Sequence, residues 1–370
     1  MIVQFVSQFF FQKMLTFCIY MLYYNYIIKR QHSPNEGINK AMKIVVIGNG
    51  SVGDALVGAI CSEGHNVTVI DEDAATVNAV VNKYDVFGVT GNGASIDVQK
   101  DAGVRDSDIV IAVSPSDELN LLCCMIAKQL GAKYAIARVR DPEYSEQVMA
   151  MHHIFPLSLT VNPEKRAALE IERLLKFPGF LRRESFAKGR AEIVELRVDK
   201  TSPLKNVSLM DLRNVVKCRV LVCAVLRDGE AVAPRGNFVL QEGDRIFVTA
   251  PTKDLTTLLK NLGIITRRVR SCLLCGGGRV SYYLASSLLK SGISVTIVEN
   301  DFERCQSLCE QLPEATIIHG NAGDTEQLES EGLADFDALV TLTGSEELNM
   351  IVSLYAASEG VPQVITKLGH

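Results

Sequence analysis

The sequence predicts an α/β protein with two doubly wound parallel-sheet lobes and a small α+β unit between them. Three observations predict it. The same plan of motifs occurs twice in the chain. Within each copy, short Val/Ile-rich runs alternate with helical patterns, which suits strands buried on both faces of a parallel sheet. Between the copies the pattern changes to alternating, half-buried strands and turn dipeptides. The composition fits a folded chain of two or three domains: 370 residues, 47% apolar and 22% charged.

The elements follow in order. Residues 1–41 stand apart as a non-domain N-terminal extension. The apolar run 14–28 is short for a bilayer span, which needs about 20 residues, and Lys29 and Arg30 follow it. Two readings stay open: translation from an upstream start, with Met42 as the natural opening, or a weak membrane anchor. KIVVIG then opens a first lobe over 42–162. Strands are expected near 43–47, 67–70, 85–89, 108–113 and 134–138. Helices are expected near 52–62, 74–82, 95–101, 117–130 and 143–150. Right-handed crossovers order the strands 3-2-1-4-5. Pro163 and EKRAALEIERLLK predict a linker helix over 163–180. The α+β unit spans 181–266, with turns at Asp228-Gly229 and 242–244 and a last helix that Thr252 could cap. The second lobe, 270–370, is truncated after its fifth strand, VITKL.

The duplication carries the functional signal. The first copy reads KIVVIGNGSVG, NVTVID, VTGNGAS and DIVIAVSPSDELN; the second reads RSCLLCGGGRVS, SVTIVEN, IIHGNAGD and DALVTLTGSEELN. Gly48-x-Gly50-x-x-Gly53 lies between a strand and a helix. Gly48 permits the tight turn, Gly50 lets phosphate approach the backbone, and Gly53 lets helix pack on strand. The helix N-terminus offers N–H groups and positive partial charge to a diphosphate; the dipole supplies only about 0.3–1 kcal/mol. Asp71 ends the second strand, where a ribose-binding carboxylate belongs. It would repel a 2′-phosphate, since two unit charges at about 4 Å interact by roughly 4 kcal/mol at an effective dielectric near 20. NAD or an adenine nucleotide is therefore favoured over NADP. Asn92 could bond a ribose or the adenine edge, and Ser114 could line the site or cap the helix opening at Asp117. Arg138 and Arg140 flank the fifth strand, for phosphate, interface or surface roles. In the second copy, Gly276 and Gly278 persist and Glu299 keeps the acidic strand end, but Ser281 replaces the third glycine and puts that site in doubt.

Other chemistry is thin. The net charge of −5 is interspersed, which argues against a nucleic-acid partner. Ten cysteines without a secreted-type framework read as reduced thiols in the cytosol. Cys272-x-x-Cys275 falls in a buried strand, a poor setting for metal or redox work. No catalytic or metal residue is assigned. An NAD-dependent oxidoreductase is the alternative reading, but 191–262 is small and lacks histidine.

IGNGSVG, VID, TGNG and SDELN followed by IARVR resemble the RCK (regulator of K⁺ conductance, or KTN) family. SPLKNVSL, DGE, PRGNFVLQEGD and VTAP resemble that family's C-terminal domain. The resemblance covers about 42–370. It implies Rossmann-like RCK N-terminal domains at 42–162 and 270–370, with an RCK C-terminal domain at 181–266. It implies a regulatory subunit, not an enzyme, that couples NAD(H) or ATP/ADP binding to potassium uptake. Family nucleotide contacts carry over to Gly48, Asn49, Gly50, Ser51, Val52, Asp71, Asn92, Ser114 and Arg138, and to Gly276, Gly278 and Glu299. Implied partners are a membrane-embedded potassium transporter subunit of the TrkH/TrkG kind and other copies of the chain, in dimers or a tetrameric ring. The implied location is cytoplasmic, peripheral at the inner face of the plasma membrane. A full family member carries a second C-terminal unit. The helices near 143–157 and 163–176 are candidates for contacts between lobes.

Overall fold

The computed structural model describes residues 2–7, 41–150, 157–176, 182–186, 191–263 and 269–368. Strand β1 (Ile2–Ser7) comes first in the chain and joins the last sheet, below. The first lobe runs β2 (Lys43–Ile47), α1 (Ser51–Ser62), β3 (Asn66–Asp71), α2 (Ala74–Tyr84), β4 (Phe87–Thr90), α3 (Ile96–Asp101), β5 (Ile109–Ala112), α4 (Asp117–Leu130), β6 (Tyr134–Arg138), α5 (Pro142–Ala150) and β7 (Leu159–Val161). All its strands pair in parallel, in the order β4-β3-β2-β5-β6-β7. The expected five-strand order is present, with β7 added at its edge.

Alternation along the central strands explains the two-sided burial. Ile44 and Val46 join one core with Leu56, Val57, Val69, Ile109 and Ile111. Val45 and Ile47 join the other with Ile70, Val110, Ala112, Leu121 and Cys124. Full burial of such side chains contributes roughly 1.5–3 kcal/mol each before chain entropy is counted.

The chain then crosses over. Helix α6 (Pro163–Lys176) leads to β8 (Arg182–Phe186), β9 (Ala191–Arg197), α7 (Leu212–Val216), β10 (Leu221–Arg227), β11 (Glu230–Val232), β12 (Arg245–Ala250) and α8 (Thr252–Asn261). These strands form an antiparallel sheet, β11-β10-β12-β9-β8, with its own core around Val194, Leu204, Leu240 and Ile246. Asp228 and Gly229, both with positive φ, make the turn that opposes Arg227 to Glu230. Thr252 does not cap α8. It lies inside the first turn, and the capping position is Pro251, without a side-chain bond.

The second lobe repeats the first: β13 (Ser271–Cys275), α9 (Arg279–Lys290), β14 (Ser294–Glu299), α10 (Phe302–Gln311), β15 (Thr316–His319), α11 (Thr325–Ser330), β16 (Ala338–Thr341), α12 (Glu346–Ser358) and β17 (Gln363–Leu368). Its order is β15-β14-β13-β16-β17-β1. The first strand of the chain thus takes the edge place that β7 holds in lobe one, pairing from Ile2↔Gln363 to Ser7↔Leu368. The extension expected to lie outside the domains supplies those six residues; the apolar run 14–28 lies outside the described residues. Cys272 and Cys275 are buried in opposite cores of this lobe. Burial pushes the Cys275 thiol up to about 12 and Cys272 higher still, which suits packing rather than reactivity.

One expectation changes. Of the span read as a linker helix, 163–180, residues 177–180 lie outside the described residues, and 163–176 form α6 and pack as a layer of the second lobe. Its Ala168, Ile171 and Leu175 are buried in one core with Cys272, Leu284, Leu288 and Ile297. Glu172 closes the seam: it accepts hydrogen bonds from Ser287 Oγ at 2.6 Å and Ser291 Oγ at 3.2 Å and pairs with Lys176. The candidate at 163–176 also reaches lobe one, where Glu164 pairs with Arg138. Residues 151–156 of the other candidate lie outside the described residues, and α5 lies in lobe one.

Candidate functional site

A cavity of about 400 Å³ opens at the carboxyl end of the first sheet. Such sheet edges are where open α/β folds take ligands. Gly48, Asn49, Gly50, Ser51 and Val52 form one wall, Asp71 and Thr76 the second, and Ser114, Arg138 and Arg140 the third.

The glycine loop is built backbone to backbone. Gly48 N–H donates to Ile70 O at 2.8 Å. Its φ of 92° is left-handed, and a Cβ there would lie 2.8 Å from Ser114 N. Gly53 packs behind the loop, where a Cβ would sit 2.1 Å from Gly48 O. A Cβ on Gly50 would meet nothing within 4 Å. Gly50 heads α1 at its N-cap with no side-chain cap, so the first N–H groups of that helix face the cavity. The turn at Gly48 and the close packing at Gly53 are thus visible in the geometry, and the open face at Gly50 leaves room for the approach the motif predicts.

Asp71 does two jobs. Its carboxylate accepts from Asn49 N–H at 2.6 Å and Asp73 N–H at 3.0 Å, bracing the loop against β3. A carboxylate has about four acceptor sites, so two remain for ribose hydroxyls. Ser114 lines the cavity and does not cap α4. That cap is Ser116, whose Oγ accepts from Leu119 N–H at 3.1 Å. Two first-lobe candidates lie outside the lining: Gly53, which packs behind the loop, and Asn92, whose Oδ1 accepts from Ala94 N–H at 2.8 Å in a local turn. Its neighbours Gly91 and Gly93 line the cavity instead.

The third wall rests on residues the sequence reading missed. Buried Asn120 accepts from Ser114 N–H at 2.7 Å and donates to Ser114 O and Arg138 O, tying β5 to β6. Buried Asp117 accepts from Arg140 N–H at 2.7 Å and Arg140 Nε at 3.2 Å. Glu164, on α6, accepts from Arg138 Nη2 at 3.1 Å. Burial lowers the Arg138 guanidinium against the opposing pull of Glu164. Two buried polar atoms at the cavity find no partner: Arg138 Nε and Asn49 Oδ1. Orphaned buried groups carry a cost of about 1–3 kcal/mol each that a polar ligand would relieve. The repeated S-x-E-L-N motif, carrying Asn120 and Asn349, was the available signal for the tie; nothing local pointed to Glu164.

The second lobe keeps the plan and fills it differently. Gly276 has φ 103°, Glu299 accepts from Gly277 N–H and Asp301 N–H, and Asn349 ties Thr343 to Lys367 O. Gly278 is as open as Gly50. Two side chains bond the loop carbonyls here. Buried Ser281 donates its hydroxyl to Gly276 O, and Arg304, in the place of Thr76, donates Nε to Gly277 O at 2.7 Å. Among the described residues no helix is long and apolar enough to cross a membrane, and no cluster suits a metal ion.

Comparison with known proteins places this geometry. The family model described as the TrkA-N domain matches residues 44–155 and again 272–369, and the TrkA-C domain matches 193–263. A "Trk system potassium uptake protein TrkA homolog" of Archaeoglobus fulgidus is 34% identical over 328 residues, covering 88% of this chain and 74% of that protein. The "Trk system potassium uptake protein TrkA" of Halomonas elongata is 31% identical over 332 residues, covering 89% and 72%. Among solved structures, the GsuK RCK domain matches with a TM-score of 0.63 at 15% identity, covering 93% of this chain and 78% of that one. The GsuK channel bound to NAD matches equally, with a TM-score of 0.63 at 15% identity over 94% and 63%. At that identity the likeness speaks for the fold.

Proposed function

Since the chain belongs to the TrkA family, with two TrkA-N domains around one TrkA-C domain, we propose that it is a nucleotide-binding regulatory subunit of potassium uptake. The ligand is NAD(H) or an adenine nucleotide. One observation carries the site assignment: the glycine loop and the N-terminus of α1, the Asp71 carboxylate and Arg138, whose Nε is unpartnered, line one cavity. The residues fit a dinucleotide or nucleoside diphosphate. The α1 N-terminus and Gly50 would take phosphate oxygens, Asp71 the ribose hydroxyls, and Arg138 further negative charge. A bound nucleotide supplies charge and contacts here; the chain's own residues bind and orient it.

Regulation follows from linkage. A ligand shifts an assembly between two arrangements only by its differential affinity for them. About 1–3 kcal/mol of coupling suffices. The chain associates with a membrane potassium transporter. The finer reading is a TrkH/TrkG-like subunit, contacted from the inner face of the plasma membrane, with copies of the chain assembled as dimers or a tetrameric ring. We read the protein as non-enzymatic. Supporting this, the ionisable side chains lining the cavity are Asp71, Glu72, Arg138 and Arg140, which suit binding; His, Cys, Lys and Tyr are not in its lining.

Ligand-dependent thermal shift with NAD, NADH, ATP and ADP tests this reading. Wild type should gain stability, by about 2.7 kcal/mol at a hundredfold excess over Kd. Gly50→Ala and Asp71→Ala should lose that gain. Equal stabilisation of all three proteins would overturn the site. Steady NADH consumption with a small substrate would favour an oxidoreductase. Potassium-limited growth of a strain lacking the protein tests the transport role, since growth that complementation leaves unchanged would count against it.

A further inference from the structure

A side chain of the second lobe reaches the wall of the first cavity. Tyr283 stands in α9, the helix that follows the second glycine loop. Its hydroxyl donates to Arg140 O at 2.8 Å and accepts from Asn162 Nδ2 at 2.8 Å. Asn162 also donates to Arg140 O, at 3.1 Å, and its Oδ1 caps α6 by accepting from Lys165 N–H at 2.8 Å. Arg140 itself lines the cavity.

Arg140 is thus held at both ends of its own backbone. Its N–H donates to buried Asp117 at 2.7 Å, and its side chain bonds the same carboxylate through Nε at 3.2 Å and Pro115 O through Nη2. Those partners belong to lobe one. The hold on its carbonyl comes instead from α6 and from lobe two. Two residues earlier, Arg138 O is held from within lobe one, by Asn120. The duplicated plan does not supply the tyrosine. Aligning Gly48 with Gly276 puts Ala55 at the matching place in α1, and alanine has no group to donate. Tyr283 is therefore a feature of the second copy that bears on the first.

We propose that Tyr283 is a positioning residue for the first nucleotide site, acting from the second lobe through Arg140. This rests on the nucleotide-binding reading above. The argument is one of placement. A guanidinium holds a phosphate well only where its planar fork meets the oxygens at bonding distance and angle. Asp117 fixes the Nε end of the Arg140 side chain, and Tyr283 fixes the peptide from which that side chain springs. Coupling of this kind runs both ways. Docking of α9 on Arg140 favours the nucleotide, and a nucleotide held by Arg140 favours the docking of α9. Occupancy of the first cavity is thereby felt at the helix that follows the second glycine loop.

A double-mutant cycle on the full chain, read by calorimetric titration with ADP and with NADH, tests this. The first-lobe signal is identified by its loss in Asp71→Ala. Tyr283→Phe removes one hydroxyl and keeps the ring, so the fold should stand. It should weaken first-lobe binding about fivefold, the lower end of ordinary coupling. Arg140→Met should weaken binding too. Adding Tyr283→Phe to that variant should change nothing more, because the guanidinium it places is gone. Hydrogen exchange gives the reciprocal readout. Saturating nucleotide should slow exchange of the α9 amides in wild type, but not in Tyr283→Phe or Asp71→Ala. A merely structural Tyr283 predicts lower stability with unchanged affinity. That result, an equal weakening by Tyr283→Phe in both Arg140 backgrounds, or equal slowing of α9 in wild type and Tyr283→Phe, would overturn the proposal while leaving the nucleotide site intact. Failure of wild type to bind either nucleotide would remove both.

Discussion

The two glycine loops have the same backbone and different contents. In lobe one, Gly48 turns the chain, Gly53 packs against it, and Thr76 stands clear at the cavity wall. In lobe two, Gly276 makes the same turn, but the Ser281 hydroxyl and the Arg304 guanidinium donate to the carbonyls of Gly276 and Gly277. The carboxylate at the end of strand two braces the loop in both, through Asn49 N–H in one and Gly277 N–H in the other. A fold can thus retain the loop and its brace, both needed for its own hydrogen bonding, while the side chains that bond the loop carbonyls change.

The sharpest way to break that comparison is to exchange the third position. Gly53→Ala places a methyl 2.1 Å from Gly48 O. It should destabilise lobe one by about 3 kcal/mol, the upper end of ordinary overpacking costs. Ser281→Gly, the reverse change, removes one buried hydrogen bond and should cost only about 1 kcal/mol. Urea midpoints measure both. Equal losses would mean that the two loops are packed alike.

The braces give the next largest effect. Asp71→Ala should abolish nucleotide stabilisation, worth about 2.7 kcal/mol at a hundredfold excess over Kd. Glu299→Ala should leave most of it. Thermal shift with and without NADH separates the two, and a larger loss in Glu299→Ala would reverse the ranking of the lobes.

The seam between α6 and α9 in the second lobe offers a smaller, pH-dependent test. Burial alone would raise the Glu172 carboxyl, but Lys176 and the hydroxyls of Ser287 and Ser291 outweigh it and hold the group below the ordinary range. A depressed folded value means stability that is present above the unfolded pKa, near 4.3 for a glutamate, and lost as pH falls through the folded value. Acidification below about pH 4.3 should therefore loosen α6 from α9. Glu172→Gln should flatten part of that dependence. Hydrogen exchange of the α6 amides between about pH 5 and pH 3 reads this directly, and an unchanged profile in the variant would remove Glu172 from the seam.

Much of this was legible in the residues because it is local. Apolar runs such as KIVVIG and DIVIA mark strands buried on two faces, and Gly53 meets its constraint five residues away, at Gly48 O. The parts that were not legible are long-range. Helix α6 carries an ordinary amphipathic pattern, and only its docking on Leu284 and Leu288 makes it part of lobe two. Pairing of Ile2–Ser7 with β17 joins the two ends of the chain, which no local pattern encodes. Ser114 was read as a possible cap of α4, but the cap is Ser116, two residues on, whose Oγ accepts from Leu119 N–H. Asn92 looked ligand-facing because its glycines are, but an Asx turn claims its side chain.

The most direct test of the account is a matched pair at the two open glycines. A methyl group added to Gly50 or Gly278 would meet no atom within 4 Å, so alanine at either should leave folding intact. Titration of both variants with NADH should find the tight site lost in Gly50→Ala and kept in Gly278→Ala. Loss in Gly278→Ala with retention in Gly50→Ala would contradict it.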